Sequence, residues 1–400
     1  MNNKKLVQLI VILIISLLTL LGLHISYFSR AEKKFIFSKV LLCYSIAVLS
    51  VFTLFYGEQF LYDYNANLIA LKNVGKLHTY MNVAAVIASY ISMVALVVPT
   101  IEFLQRVKLF ELITYFEAGK KVFTTAATLV LTKTIAFQVA IGLVSVIRFY
   151  RNDANNKDDS LVRTLFLLLP SIIASLLPNC FFGAIVVSGL LFSILNERLQ
   201  NIVNEVNCLQ TDLQMKLQKP YYRMHRFCDL ADNMDVLTEK FILICVDSIK
   251  YFDLVAVPFI CSLVCNLFGI TVGFFTQYLA IVETLVNEES YDAFNAITNS
   301  VFLVVSICDI ALQAYMCNKS VMTVRNTSII LQHMNITHVD IRFKQSAETF
   351  SALLLVTKYK TEPLGFLQID MSLVHDVLSA VTSFLLILIQ SDLSLRFSLK

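Results

Sequence analysis

Residues 364–391, LGFLQIDMSLVHDVLSAVTSFLLILIQS, form the last of a series of long apolar segments in the chain. This segment is long enough to cross a bilayer, which takes about 20 residues of helix. Small and polar residues nevertheless recur along it, and Asp376, Ser383 and Gln390 stand at seven-residue intervals. A helix that faced only lipid would have no use for such a stripe. The pattern therefore predicts a membrane helix whose polar face lines water and packs against copies of itself.

The composition indicates an integral membrane protein. Of the 400 residues, 57% are hydrophobic and only 15% are charged, whereas about a quarter of a soluble domain is usually charged. The net charge of +3 is small and the basic residues are scattered, which argues against a nucleic-acid partner. There is no His-Glu-x-x-His motif and no glycine-rich phosphate loop, so we expect no metal, no cofactor and no enzymatic activity.

Seven segments are long and apolar enough to cross a membrane. They are 36–56, 80–101, 124–147, 162–194, 241–280, 296–316 and 369–391. The predicted fold is therefore an all-α polytopic membrane protein with seven transmembrane helices. Segments 162–194 and 241–280 exceed one crossing, and their prolines Pro170, Pro178 and Pro258 are expected to kink them. An earlier apolar segment, Leu6 to Leu23, fits an interfacial helix, an additional span or a signal peptide.

The distribution of Lys and Arg predicts the orientation in the membrane. With the N-terminus in the cytosol, 22 of these residues fall in inside segments and 8 in outside segments. The C-terminus is then extracellular. Residues 195–240 and 317–368 become cytosolic, and their charge and helix formers predict helical extensions that pack into a collar. Glycosylation sequons at Asn318, Asn326 and Asn335 favour the opposite orientation, if they are used.

Two charged residues within the spans have alternative interpretations. Asp309 is expected to face the interior of the bundle, either coupling a ligand pocket to the pore or pairing with a basic residue. Lys133 lies near the inner end of the third span, and its long side chain is expected to extend to the membrane surface.

The last segment resembles the seventh helix of the insect gustatory receptors, a family related to the insect odorant receptors. The signature of that helix is Thr-Tyr, five hydrophobic residues and Gln-Phe. Here Ser383 and Phe384 precede the five hydrophobic residues 385–389, and Gln390 and Ser391 follow them. The run from Gly365 to Leu373 resembles the stretch that leads into that helix. Chain length, number of spans and orientation fit the family over essentially the whole sequence.

The resemblance implies a tetrameric, ligand-gated, non-selective cation channel with the seventh helix of each subunit around the pore. Rings of neutral polar groups separated by an apolar ring would conduct with little ion discrimination. The predicted pore-lining residues are Ser379, Ser383, Leu386, Ile387, Gln390 and Ser391. Ser391 replaces the aromatic residue of the family, so either Ile387 and Gln390 close the pore or a partner subunit does. For Ser379 and Ser383 helix packing is the alternative role, and for Gln390 an interfacial cap.

The ligand of such a receptor would bind among the outer ends of the second to sixth helices. Aromatic walls with a few amides suit an apolar or amphipathic tastant. The candidate residues are Tyr80, Gln138, Phe275, Gln277, Tyr278, Asn299 and Phe302. For each aromatic residue among them, plain core packing is the simpler interpretation.

The resemblance also divides the chain and places it in the cell. Residues 1–35 would be a cytosolic or interfacial segment, 36–363 six transmembrane helices with the collar, and 364–400 the pore helix and a short extracellular tail. Homomeric and heteromeric tetramers in the plasma membrane of chemosensory neurons are equally compatible, with membrane lipids as further partners. A G-protein-coupled receptor would have its N-terminus outside, and a transporter would show repeated halves; neither pattern is found.

We expect an epitope tag at the C-terminus to be stained by antibody on intact cells, because the charge count places this terminus outside. Permeabilised cells serve as the expression control. Staining that requires permeabilisation would contradict the orientation and favour the coupled-receptor and transporter alternatives.

Overall fold

The computed structural model describes residues 3–29, 34–65, 74–107, 111–112, 115–116, 124, 126–137, 139–140, 142, 161–211, 219–287 and 293–398. Almost all of them are helical. The helices are α1 (Asn3–Leu20), α2 (Lys39–Asn65), α3 (Val74–Ala95), α4 (Val97–Arg106), α5 (Ala126–Phe137), α6 (Leu161–Leu209), α7 (Pro220–Leu254), α8 (Ala256–Asn287), α9 (Ala293–Gln332), α10 (Ile341–Val356) and α11 (Met371–Ser398).

Five helices of the described residues are long and apolar enough to cross a membrane, and α3 with α4 forms a sixth candidate that bends by 65°. The five segments are Lys39–Asn65, Leu169–Leu209, Ala256–Leu285, Ala296–Gln332 and Met371–Phe397. The predicted all-helical polytopic membrane fold is thus confirmed. Of the predicted third span, 124–147, the structure describes the short apolar helix α5 and a few neighbouring residues.

The predicted span 241–280 is wrong in its boundaries, because two helices share it. Helix α7 ends at Leu254, and Val255 has φ −103° and ψ 5°, outside the helical region. Helix α8 begins at Ala256, so the apolar span starts there and 241–254 belongs to the preceding helix. Pro258 consequently falls in a first helical turn, where its missing N–H leaves no hydrogen bond unmade. Pro170 and Pro178, in contrast, lie inside the continuous helix α6.

The predicted collar exists as a packed helical bundle. We use the name collar for residues 195–209 of α6, helix α7, residues 317–332 of α9 and helix α10. Its core is aromatic: Phe241 and Phe350 are fully buried with ring centroids 5.7 Å apart, and Phe227 lies 6.1 Å from the buried Phe343. Asp340 caps the N-terminus of helix α10. Its side chain accepts a hydrogen bond from the amide of Arg342, which is a common form of N-cap.

A short β-hairpin before α2 is not predicted from the sequence. Strand β1 (Ser26–Ser29) pairs antiparallel with β2 (Lys34–Phe37). Helix α1 ends at Leu20, and Gly22 follows it with a φ of +73°, which suits a residue without a Cβ. His24 is buried beside Ser26, with 2.9 Å between Nε2 and Oγ, and this burial lowers the pKa of the imidazole. The other regular elements among the described residues are helices.

Candidate functional site

Helix α11, the predicted pore helix, starts at a carboxylate cap. The Asp370 side chain accepts hydrogen bonds from the amide of Ser372 at 2.8 Å and from its hydroxyl. These bonds to Ser372 lower the pKa of Asp370, so that the carboxylate is charged at neutral pH. A negative charge at this position is favourable because the N-terminus of a helix carries partial positive charge.

Only one stripe of α11 packs against the rest of the subunit. Leu373, Val377 and Val381 are buried, in the main hydrophobic core, where α11 contacts α8 and α9. Ser379 and Ser383 each follow a member of this stripe by two residues, which turns them by about 200° around the helix. The polar stripe predicted from the sequence therefore lies on the side of α11 that faces away from its own subunit.

Five of the six predicted pore residues are exposed on this far side or at its margins, and Ser391 is exposed near the end of α11 in line with Leu373, five turns away. Ser379, Ser383, Gln390 and Ser391 are exposed, and Leu386 and Ile387 are 54% and 61% accessible. The Ser383 hydroxyl donates to the carbonyl of Ser379 at 3.0 Å. It thus needs no partner from another helix. In the span of α11 only 17% of residues are buried, compared with 44% in α8.

The last turns of α11 are tied to α8 by a polar contact. Arg396 pairs with Asp392 one turn away at 2.8 Å, and Tyr278 of α8 donates its hydroxyl to the same carboxylate at 3.2 Å. Tyr278, a predicted ligand-binding residue, therefore contacts helix α11.

A cavity lies among α3, α5, α6, α8 and α9. Its lining is mostly polar. The polar residues are His78, Asn82, Ser171, Ser175, Asn179, Ser262, Asn266, Ser306 and Asp309, and the others are Phe137, Ala174, Pro178, Phe302 and Val305. The edge of Phe302 meets the His78 ring at a centroid distance of 5.6 Å. Small-molecule sites are usually lined mostly by apolar side chains with a few polar groups, so the lining of this cavity is unusually polar.

A buried ion pair lies beside this cavity. Lys133 Nζ is 2.9 Å from Asp309 Oδ1 and donates to Asn179 Oδ1 at 2.6 Å, while Gln313 donates to the other oxygen of Asp309. Lys133 is 3% exposed, so the prediction that it extends to the membrane surface is wrong. Burial next to a carboxylate satisfies its charge without reaching water. The alternative interpretation of Asp309, a pair with a basic residue, is the one that the structure shows.

The other predicted ligand-binding residues that the structure describes are not part of the cavity lining. Tyr80 donates to Asp63 of α2 at 2.6 Å. Gln277 donates to the carbonyl of Ala296 at 2.7 Å, which links α8 to α9. The rest are placed as follows: Phe275 is buried with its ring 5.8 Å from that of Tyr278, Asn299 is half-buried on α9, and Gln138 is outside the described residues. Of the predicted set, Phe302 lines the cavity.

Asparagines within the apolar segments indicate the cavity better than the aromatic residues do. Asn82, Asn179 and Asn266 lie in apolar helices, where an uncharged amide is expensive without a partner or water. The expectation that a polar group within a span faces the interior of the bundle, used for Asp309, applies equally to these three residues. Within the described residues no group of His, Cys, Asp and Glu could hold a metal ion.

The fold is that of a helical membrane protein with a cavity among its helices, and comparison with known proteins gives its family. The sequence profile described as "7tm Chemosensory receptor" matches residues 11–395. The chain belongs to this chemosensory receptor family, whose members are receptors and channels rather than enzymes.

Individual relatives and a solved structure agree with this assignment. Two Drosophila melanogaster proteins, provisionally named gustatory receptors 94a and 97a, are 38% and 37% identical to the chain. The first alignment covers 100% of this chain and 98% of the relative, and the second covers 95% and 89%. The fold is similar to that of olfactory receptor OR5 of Machilis hrabei, solved with eugenol, with a TM-score of 0.53 and 11% identity over 98% of this chain and 100% of that one.

We expect the substitution Asp309→Asn to destabilise the protein by about 3–5 kcal/mol, because it leaves the buried Lys133 without a counter-charge. The double substitution Lys133→Met with Asp309→Leu should cost much less, since no charge remains buried. The measurement is the melting temperature of the detergent-solubilised protein.

Glu102→Gln is the matched control for the loss of a carboxylate. Its partner Arg106 is 3.6 Å away and both side chains are more than half exposed, so little stability should be lost. Equal melting temperatures for Asp309→Asn and Glu102→Gln would contradict a structural role for the buried pair.

Proposed function

We propose that the chain is a gustatory receptor subunit that forms a tastant-gated, non-selective cation channel with three further subunits. One observation carries the proposal: the polar stripe of α11 is exposed on the side opposite to its attachment stripe. Four copies of such a helix around a closed rotation axis would place these stripes on a common pore. The subunits are copies of this chain or related receptors, in the plasma membrane of chemosensory neurons.

The chemistry of the exposed face fits weak ion selectivity. Ser379, Ser383 and Gln390 would contribute hydroxyl and amide rings, which replace part of the hydration shell of a cation without a fixed charge. Ile387 and Leu386 would form an apolar ring between them. A constriction of this kind closes by losing its water, so it can act as the gate. With Ser391 at the family's aromatic position, Ile387 is the best-placed apolar group for this role.

The cavity is the proposed tastant site, and its chemistry differs from that expected from the sequence. Nine of its fourteen lining residues carry polar side chains, so a small, uncharged, hydroxylated molecule fits better than an apolar one. The carboxylate of Asp309 is already neutralised by Lys133, which leaves no net charge for an ionic ligand. Helix α8 provides Ser262 and Asn266 of this lining and also Tyr278, which contacts α11. Movement of α8 would link ligand to pore.

We expect Gln390→Ala to change the relative permeability for small and large cations, because four amides leave the pore. Ile387→Ser should produce a leak current without any tastant, since a polar ring no longer expels water. The measurement is whole-cell recording with G-protein signalling blocked, together with surface labelling of the receptor.

The exposed Gln332 at the end of α9 provides the control. Gln332→Ala removes the same kind of side-chain amide at a position outside α11, so it should leave permeation unchanged. Wild-type permeation in Gln390→Ala and no leak in Ile387→Ser, at normal surface levels, would exclude this face of α11 from a pore. Loss of all current when G-protein signalling is blocked would instead favour a coupled receptor.

We expect Asn266→Ala to raise the half-maximal tastant concentration about tenfold, which corresponds to the loss of one to two hydrogen bonds. The probes are a panel of sugars and polyols and a parallel panel of apolar odorants. Asn299→Ala is the control, because Asn299 belongs to the same bundle outside the cavity. A shift for Asn299→Ala alone would move the site to the helix ends, and responses to the apolar panel alone would contradict a hydroxylated ligand.

A further inference from the structure

The β-hairpin before α2 carries three phenylalanines on one face. Phe28 pairs with Phe35 across the antiparallel ladder, and their rings meet edge to face at a centroid distance of 5.3 Å. Paired residues point to the same face, and Phe37 shares that face because it is two residues beyond Phe35. Phe28 is 52% and Phe37 38% exposed to the surroundings of the isolated subunit.

An isolated two-stranded hairpin of this kind is marginally stable in water. The described residues tether it at two places. The side chain of Gln105, in α4, donates to the carbonyl of Phe35 at 2.7 Å. The amide of Ser38, which follows β2, donates to the carbonyl of Ile25 at 3.2 Å. These contacts fix the position of the hairpin but leave much of the phenylalanine surface exposed.

The chain connectivity places this surface at the edge of a membrane. Only Ser38 separates β2 from α2, and its hydroxyl accepts a hydrogen bond from the amide of Leu41 at the start of that helix. Because α2 is one of the spanning helices, Phe37 lies within a few residues of the hydrocarbon boundary. Helix α4, which carries Gln105, is the second half of the bent pair α3–α4. The hairpin is thus held between the ends of two membrane segments.

The charge of this region is complementary to an anionic surface. Lys34, the first residue of β2, and Lys39, the first residue of α2, are both exposed. Between residues 29 and 40 the sequence has four basic residues, which include Arg30 and Lys33, and a single acidic one, Glu32. Aromatic rings beside basic residues are the usual composition of a segment at the membrane–water interface.

We propose that the hairpin is a lipid-binding element: the phenylalanine face enters the headgroup layer beside α2, and Lys34 and Lys39 bind anionic headgroups. A bilayer is the occupant that fits, because the hairpin is continuous with a spanning helix and its aromatic and basic groups lie together. The inference does not depend on a pore or a tastant. The proposed orientation is needed only to say which leaflet the hairpin binds. It would be the cytosolic leaflet, which is rich in anionic lipid.

The absence of tryptophan from the sequence makes a direct test available. Phe28→Trp gives the full-length chain a single tryptophan, and Phe37→Trp is a second such variant if the first does not fold. The protein is reconstituted in nanodiscs of phosphatidylcholine with or without phosphatidylserine. Quenching is measured with lipids brominated near the headgroup end of the acyl chain and with acrylamide in the water. This readout requires no ligand and no current.

Tyr221→Trp is the matched control, because Tyr221 is 66% exposed at the start of α7, in the collar. We expect Phe28→Trp to be quenched by brominated lipid and protected from acrylamide, and Tyr221→Trp to show the reverse. Phosphatidylserine should increase the lipid quenching of Phe28→Trp, and adding Lys34→Gln and Lys39→Gln should abolish that increase.

Three results would overturn the proposal. Acrylamide quenching of Phe28→Trp equal to that of Tyr221→Trp would place the hairpin in water. Protection from both quenchers would show that protein, such as a second copy of the chain, covers the face. Lipid quenching that is insensitive to phosphatidylserine would remove the anionic headgroup from the site.

Discussion

Helix α11 is held by its own subunit along a single apolar stripe, and the functional organisation depends on this one-sided attachment. Leu373, Val377 and Val381 anchor the helix to α8 and α9, while the opposite side contributes nothing to the core of the subunit. Packing within the subunit therefore uses one face of the helix and leaves the opposite face, which includes Ser379 and Leu386, exposed. A substitution on that exposed face removes no packing contact within the subunit.

The exposed polar face of α11 could be predicted from the sequence for a local reason. A seven-residue spacing is a local property, and two turns of one helix bring Asp376, Ser383 and Gln390 into a line whatever the rest of the fold does. The apolar lengths of α2, α9 and α11 were predictable for a similar reason, because the thickness of a bilayer limits each of them. The β-hairpin left no such trace, since four-residue strands are too short for a clear alternation.

The cavity could not be predicted in this way, because five helices that are distant in sequence assemble it. The residues predicted at the helix ends mostly contact neighbouring helices instead, as Tyr80 and Gln277 do through hydrogen bonds. The break at Val255 was missed because apolar residues continue on both sides of it. The pairing of Lys133 with Asp309 was left open because a basic side chain in a membrane has two ways to satisfy its charge. A single sequence does not distinguish a lysine that extends to the membrane surface from one that is buried beside a carboxylate.

The 49 residues of α6 run without interruption from the membrane into the collar. At about 1.5 Å per residue this helix is roughly 74 Å long, more than twice the thickness of the hydrocarbon core. It joins the membrane layer to the collar, and α9 does the same. Helices α7 and α8 make a third connection through Val255, whose amide still donates to the carbonyl of Tyr251 at 3.2 Å although its ψ of 5° leaves the helical region. A displacement of the collar would therefore reach the membrane layer along hydrogen-bonded backbone in all three connections, including the one that carries Asn266 and Tyr278.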